Sequence, residues 1–155
     1  MAALEVGAKA PDFALEGGVA GSFRLSEAVK RSRFVVLAFY PLAFSPVCTE
    51  EMSLFQEILE EFTELGAQVV GISVDSKYAQ QAFAESKGIT FPLLADFHPK
   101  GVVAQQYGVM REDGVAERAL FIVDAQMVVR YSFVSELRKN PGADRLLEAL
   151  EGMQG

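Results

Sequence analysis

Residues 33–48, RFVVLAFYPLAFSPVC, join a strand pattern to a helix start. The first half, Arg33 to Tyr40, is a run of β-branched and aromatic residues. Such a run is typical of a central strand buried on both faces. Ser45 then occupies a candidate N-cap position, and Pro46 suits the first position of a helix. The stretch therefore predicts a buried strand that leads into a helix, with Cys48 in the first helical turn.

The rest of the chain alternates between strand and helix patterns. Apolar residues recur at helical spacing from Met52 to Leu65, and Gly66 is expected to end that helix. The other predicted elements, in chain order, are a hairpin of residues 12–15 and 22–25 with a turn at Gly17-Gly18, a strand over 68–74, a helix over 76–87 ending at Gly88, a short apolar segment over 91–94, a helix over 101–107, strands over 119–124 and 127–134, and a helix over 143–153.

This order of elements predicts a single α/β domain over residues 1–155. Strands alternating with helices are compatible with a thioredoxin-like fold, which has a mixed central β-sheet flanked by helices, and with a flavodoxin-like parallel sheet. The two strands joined by a tight turn near the C-terminus would be antiparallel. Because a mixed sheet accommodates them, the thioredoxin-like fold is the prediction.

Composition narrows the possible functions. The 155 residues carry a net charge of −7, which argues against binding to nucleic acid or to an anionic membrane surface. The first residues lack the pattern of a secretory signal, and one cysteine cannot form an internal disulfide, so a cytoplasmic location is expected. One cysteine and one histidine do not indicate a zinc site, and no cofactor is expected.

Cys48 is the candidate for chemistry. It is predicted to lie just beyond the C-terminal end of the central strand, at the edge where open α/β sheets bind their ligands. In the first turn of a helix it would face free backbone N–H groups and the positive end of the helix dipole, which favour a thiolate. Most single cysteines are small buried hydrophobes. The helix-start position favours a reactive role instead.

The motif around this cysteine resembles that of the peroxiredoxins, the AhpC/TSA family. Pro41, three residues, Ser45, two residues and Cys48 match the family motif of Pro, Thr or Ser, and Cys at this spacing, and Arg118 stands where the family carries its active-site arginine. The stretch FPLLADFHPKGVVAQQYGV over 91–109 also resembles the one-cysteine peroxiredoxins called alkyl hydroperoxide reductase E. Ser45 replaces the commoner Thr, and there is no second cysteine to resolve an oxidised Cys48.

The resemblance implies a thiol peroxidase that reduces hydrogen peroxide and organic hydroperoxides. The Cys48 thiolate would attack the peroxide and become a sulfenic acid, and Arg118 would stabilise the developing negative charge. Ser45 would donate a hydrogen bond to the sulfur or the substrate, Pro41 would shield the thiolate, and Glu51 would hold the arginine through a bidentate pair.

Several of these side chains also have an ordinary structural interpretation. Glu51 could equally be a solvated acid in the first turns of the helix. Tyr40 and Phe44 are expected to be packing residues, although Leu42 and Phe44 are also candidates for an apolar approach to the thiolate. Arg118 taken alone would be assigned to the surface.

The resemblance also implies partners. A one-cysteine enzyme needs an external reductant, for which thioredoxin, a glutaredoxin-like protein and a low-molecular-weight thiol are all open, and the family is commonly built from dimers. Competing functions are thiol–disulfide exchange, which normally uses Cys-x-x-Cys, and a redox sensor or chaperone that uses Cys48 as a switch. A glutathione peroxidase would share the fold, but this sequence contains no tryptophan to match that family's.

Overall fold

The computed structural model describes residues 2–17 and 21–154. Gly18 of the predicted hairpin turn lies outside these residues. The elements in chain order are β1 (Ala14–Gly17), β2 (Gly21–Arg24), α1 (Leu25–Ala28), β3 (Phe34–Phe39), α2 (Pro46–Glu57), α3 (Leu59–Glu64), β4 (Ala67–Ser73), α4 (Lys77–Lys87), β5 (Leu93–Ala95), α5 (Val102–Gln106), β6 (Arg118–Asp124), β7 (Val129–Ser135) and α6 (Asp144–Gly152).

The strands form one mixed sheet in the order β2-β1-β5-β4-β3-β6-β7. β3 pairs with β4 in parallel and with β6 antiparallel, and β6 pairs with β7 antiparallel. A flavodoxin-like parallel sheet has no such antiparallel pairs beside its central strand. The prediction of a thioredoxin-like α/β fold with a mixed sheet is therefore confirmed.

The central strand β3 is buried on both faces, as its sequence predicts. Its side chains alternate between two cores, because successive residues of a strand point to opposite faces. Val35, Leu37 and Phe39 belong to the core that contains α1 and α5 residues. Val36 and Ala38 belong to the opposite core, which contains residues of α2, α3, α4 and α6, and Cys48 is part of this second core.

The prediction of one continuous helix up to Gly66 is wrong, because the structure divides this segment at Ile58 into α2 and α3. Ile58 has φ −108° and ψ 19°, outside the helical region. Phe55 of α2 and Phe62 of α3 are both fully buried in the same core, and their rings meet edge to face at 5.9 Å. The apolar spacing predicts these contacts but not the break.

The predicted N-terminal hairpin is present as the antiparallel pair β1–β2. β1 begins at Ala14, two residues later than predicted, and includes Gly17 of the predicted turn, while β2 ends at Arg24, one residue early. Leu25, predicted as a strand residue, begins the short helix α1 and is completely buried. Asp12 holds this corner, because its carboxylate accepts from the backbone N–H groups of Phe13 and Ser26. No helix among residues 2–17 and 21–154 is long and apolar enough to cross a membrane.

Candidate active site

The site forms at one edge of the sheet because β3 and β6 run in opposite directions. β3 ends at Phe39, whose partner in β6 is Ala119, so the first residue of β6, Arg118, lies at the edge where β3 ends. The chain leaves β3 at this edge, forms the loop Pro41–Ser45 and begins α2. The antiparallel pairing thus brings Arg118 to the first turn of α2, across 70 residues of sequence.

Cys48 and Arg118 are in direct contact. Arg118 Nη2 lies 3.2 Å from Cys48 Sγ. Cys48 is not in a disulfide and has no exposed surface, and the Arg118 side chain is almost fully buried as well. A permanent cation held against the sulfur is placed to stabilise negative charge that develops there during a reaction.

The other guanidinium nitrogens of Arg118 also have partners. Nη1 binds Glu51 Oε1 at 2.8 Å, and Nε donates to the carbonyl of Leu137 at 3.0 Å. The expected contact between Glu51 and Arg118 is present, but the expectation of a bidentate pair is wrong. Of the two terminal nitrogens of Arg118, Nη2 contacts the Cys48 sulfur, so only Nη1 remains for the Glu51 carboxylate.

Glu51 is completely buried rather than solvated. Among residues 2–17 and 21–154, its Oε2 has no hydrogen-bond partner. Burial raises the pKa of Glu51 to about 7, although the neighbouring Arg118 guanidinium opposes the rise by its charge and its hydrogen bond. The site thus holds one permanent cation between two groups that can each lose a proton, Cys48 and Glu51.

Ser45 and Pro41 lie on the loop before α2. Ser45 is the N-cap residue, as predicted, and its carbonyl accepts from the N–H of Thr49 at 2.9 Å. Its hydroxyl does not cap the helix. Within the described residues that hydroxyl also makes no hydrogen bond to Cys48 Sγ, which binds Arg118 instead. Pro41 is partly buried.

Two apolar side chains of the same loop face solvent. Leu42 is 44% exposed and Phe44 is 51% exposed, whereas Cys48 is 0% exposed. The Phe44 ring also packs on Phe83 of α4, with centroids 5.1 Å apart. Phe44 is therefore both a packing residue and an exposed apolar surface on the loop that leads to Cys48.

The structure adds polar residues that the sequence interpretation missed. Tyr40, predicted as a packing residue, is buried, and its hydroxyl donates to Gln80 of α4. Asp75, just after β4, accepts from the N–H of Ala43 in the loop at 2.7 Å. Asp75 follows a buried strand at the same edge as Cys48, and this position is the signal that would have identified it.

Comparisons with known proteins identify the family of this chain. The sequence pattern of the AhpC/TSA family matches residues 6–132. The chain belongs to the AhpC/TSA family. Curated relatives in this family include a chloroplastic 2-cysteine peroxiredoxin of Chattonella marina var. antiqua, 38% identical over 97% of this chain and 81% of that protein. Peroxiredoxin-2 of Mus musculus is 36% identical over 97% of this chain and 79% of its own length.

Solved structures of peroxiredoxins have the same fold. Peroxidoxin BcpB from Mycobacterium tuberculosis superimposes with a TM-score of 0.86 at 32% identity, over 98% of this chain and 99% of that one. The reduced 2-Cys peroxiredoxin of Plasmodium vivax has a TM-score of 0.87 at 30% identity, over 97% of this chain and 82% of that one. The AhpC/TSA chain described here is thus a peroxiredoxin, a thiol-dependent peroxidase.

Proposed function

We propose that this peroxiredoxin reduces hydrogen peroxide and organic hydroperoxides by a one-cysteine mechanism, of the kind used by alkyl hydroperoxide reductase E. The observation that carries the proposal is the contact of 3.2 Å between Arg118 and a fully buried Cys48, the one cysteine in the 155 residues. The named relatives include 2-cysteine enzymes. What separates this chain from them is that its 155 residues hold no second thiol.

In the proposed reaction the Cys48 thiolate attacks the nearer oxygen of the hydroperoxide. An S–O bond forms as the O–O bond breaks, so the sulfur is oxidised to a sulfenic acid and the departing oxygen takes up a proton to become an alcohol or water. Negative charge moves from sulfur to the peroxide oxygens during this step. Arg118 already touches the sulfur, so its charge needs no rearrangement to stabilise the transition state.

The neighbouring residues have supporting roles in this proposal. Glu51 holds Arg118 through Nη1 and so leaves Nη2 directed at the sulfur. The Ser45 hydroxyl does not cap α2, so it is available to hydrogen-bond the substrate. Pro41, half-buried beside the site, shields the thiolate and stiffens the loop. Leu42 and Phe44 form the apolar approach for organic hydroperoxides.

The sulfenic acid must be reduced by a thiol from outside these residues. An external thiol condenses with the sulfenic acid to a mixed disulfide and water, and a second thiol releases Cys48. Thioredoxin, a glutaredoxin-like protein and a low-molecular-weight thiol are the candidate reductants. Trapping the mixed disulfide at Cys48 in a cell lysate and identifying the attached molecule would distinguish them.

We also propose a cytoplasmic homodimer. The location is supported by a fold that uses no disulfide. Dimerisation is supported by β7, an edge strand of the sheet, since the unpaired groups of an edge strand can pair with another chain. Part of this edge is already paired within the chain, because the N–H of Gly7 donates to the carbonyl of Val129 and the N–H of Val129 donates to the carbonyl of Ala8. A partner chain would therefore pair with the remainder of β7. Sedimentation of the purified protein gives its mass, and cell fractionation gives its location.

Replacement of the nucleophile tests the proposed function. Cys48→Ser should fold normally and lose peroxide consumption by roughly a thousandfold or more, since a hydroxyl remains protonated where a thiol ionises. The measurement is consumption of hydrogen peroxide and cumene hydroperoxide with dithiothreitol as reductant, with circular dichroism as the check on folding. Wild type should turn over many equivalents. Substantial activity in Cys48→Ser would refute the mechanism.

A further inference from the structure

A buried hydrogen-bonded chain connects the active-site loop to β4 and α4. Gln80, fully buried, donates to Ser73 Oγ and to the carbonyl of Leu94, each at 2.8 Å, and accepts from the Tyr40 hydroxyl. Ser73 Oγ in turn donates to Asp75 Oδ2 at 2.6 Å. Burial raises the pKa of Tyr40, so its hydroxyl stays protonated and remains a donor.

The chain ends on the backbone of the loop Pro41–Ser45. Asp75 Oδ2 accepts the N–H of Ala43 at 2.7 Å, and such a hydrogen bond to a carboxylate is stronger than one between neutral groups. Inside the loop, the N–H of Ser45 reaches the carbonyl of Leu42 at a longer 3.4 Å. Asp75 thus ties the middle of the loop to the sheet edge.

The loop conformation needs such an anchor. Phe44, the residue after Ala43, has φ +69°, in the left-handed region that side chains disfavour by roughly 1–2 kcal/mol. Strained residues of this kind persist only where the surroundings hold them. The Asp75–Ala43 bond holds the backbone on one side of the strained position, and the packing of the Phe44 ring on Phe83 holds its side chain.

We propose that Asp75 is a positioning residue that sets which hydroperoxides react, by holding the loop so that Leu42 and Phe44 flank the approach to Cys48. This inference rests on the proposed peroxidase function. A bulky apolar hydroperoxide would contact both exposed side chains, whereas hydrogen peroxide is too small to do so. Release of the loop should therefore weaken the reaction with the bulky substrate more than that with hydrogen peroxide.

The test is the ratio of kcat/KM for cumene hydroperoxide to that for hydrogen peroxide. In Asp75→Ala this ratio should fall at least about fivefold, mainly through a higher KM for cumene hydroperoxide, which corresponds to about 1 kcal/mol. Asp75→Asn should keep most of the ratio, because its amide oxygen can accept from both Ala43 and Ser73. Loss of stability alone would lower both rates together and leave the ratio unchanged.

Asp96→Ala is the matched control. Asp96 also accepts from backbone N–H groups, those of Val103 and Ala104, but it holds α5 rather than the active-site loop. This variant should be less stable while its substrate ratio stays that of wild type. If Asp75→Ala does not fold, Asp75→Ser serves instead, since serine offers Ser73 a partner but is too short to reach Ala43.

An unchanged ratio in Asp75→Ala, or in Asp75→Ser if the alanine variant does not fold, would overturn this inference and leave the peroxidase function intact. A fall in Asp96→Ala equal to that in Asp75→Ala would also overturn it, since the effect would then not depend on the loop. Wild type that consumed neither hydroperoxide would instead refute the proposed function itself.

Discussion

At the scale of single residues, Arg118 is the centre of the site. Its three guanidinium nitrogens bind Cys48, Glu51 and the carbonyl of Leu137, so its position is determined from three directions. Lysine could keep the charge but could not make these three bonds in one plane. Glu51 is the costly member of the group, because it is a completely buried acid with one unpaired oxygen.

The buried acid should make stability depend on pH. The pKa of Glu51 is raised to about 7 from an ordinary value of 4.5, so the folded chain holds this proton more tightly than the unfolded chain. The stability from this group is fully present below about pH 4.5 and is lost as the pH rises through about 7. Relative to Glu51→Gln, the wild-type site should lose on the order of 2 kcal/mol of unfolding free energy between about pH 5 and 8.

Urea unfolding at both pH values measures this difference. The comparison is best made in the Cys48→Ser background, which contains no thiol that could titrate or be oxidised. The quantity compared is the change in unfolding free energy between the two pH values. Any effect of Glu51→Gln on the Arg118 contact that does not depend on pH then cancels. A difference between the Glu and Gln proteins that stays constant from pH 5 to 8 would show that Glu51 does not titrate in this range.

At the scale of elements, two helices begin with the same residue type but in different ways. Ser76 precedes α4, and its hydroxyl accepts from the N–H of Ala79 at 3.2 Å. Ser45 precedes α2, and its hydroxyl makes no capping bond. Ser45 therefore does not stabilise the start of α2 with a side-chain cap. This agrees with its proposed role of hydrogen-bonding the substrate.

Alanine at the two positions should have opposite consequences. Ser76→Ala should lower the unfolding free energy by about 1 kcal/mol through loss of the cap, and should leave peroxidase activity close to wild type. Ser45→Ala should cost only a few tenths of a kcal/mol but lower kcat/KM by roughly tenfold or more. Chemical unfolding measures the stability of both variants, and peroxide consumption measures their kcat/KM. A stability loss at Ser45 as large as that at Ser76, with activity retained, would assign Ser45 to helix capping.

At the scale of the whole molecule, the fold encloses the sulfur of the proposed nucleophile, Cys48. Cys48 lies in the core between the sheet and the helices of one face, with its Sγ against Arg118. We expect the folded first turn of α2 to keep two such sulfurs in separate chains apart, because a disulfide requires Cα atoms within about 7 Å. In the proposed mechanism the sulfenic acid at Cys48 is therefore reduced by an external thiol.

Without a reductant, excess peroxide should oxidise Cys48 beyond the sulfenic acid. Nothing within the 155 residues can form a disulfide with it, so sulfinic acid should accumulate. Mass spectrometry of the intact chain should show the addition of one oxygen and then of two. A parallel sample with dithiothreitol should stay reduced. A disulfide-linked dimer as the main product would contradict the one-cysteine mechanism.

Local sequence patterns were sufficient to predict the central strand, the helix start after it and the position of Cys48 in the first helical turn. These are local features, since alternation of buried side chains, Ser-Pro at a helix start and glycine at a helix end act within a few residues. The resemblance to the peroxiredoxins added the prediction that Arg118 is a site residue and that the reaction is the reduction of hydroperoxides. What residues alone left open was whether Glu51 was solvated or buried.

The contacts between residues far apart in sequence became known only from the folded chain. The antiparallel pairing of β6 with β3 carries Arg118 to Cys48, and the neighbouring β4 carries Asp75 to the loop backbone at Ala43. The break at Ile58 and the burial of Glu51 likewise depend on how the helices pack on the sheet. The physical reason is that side-chain burial and partners are set by strand register and packing, which no short segment specifies.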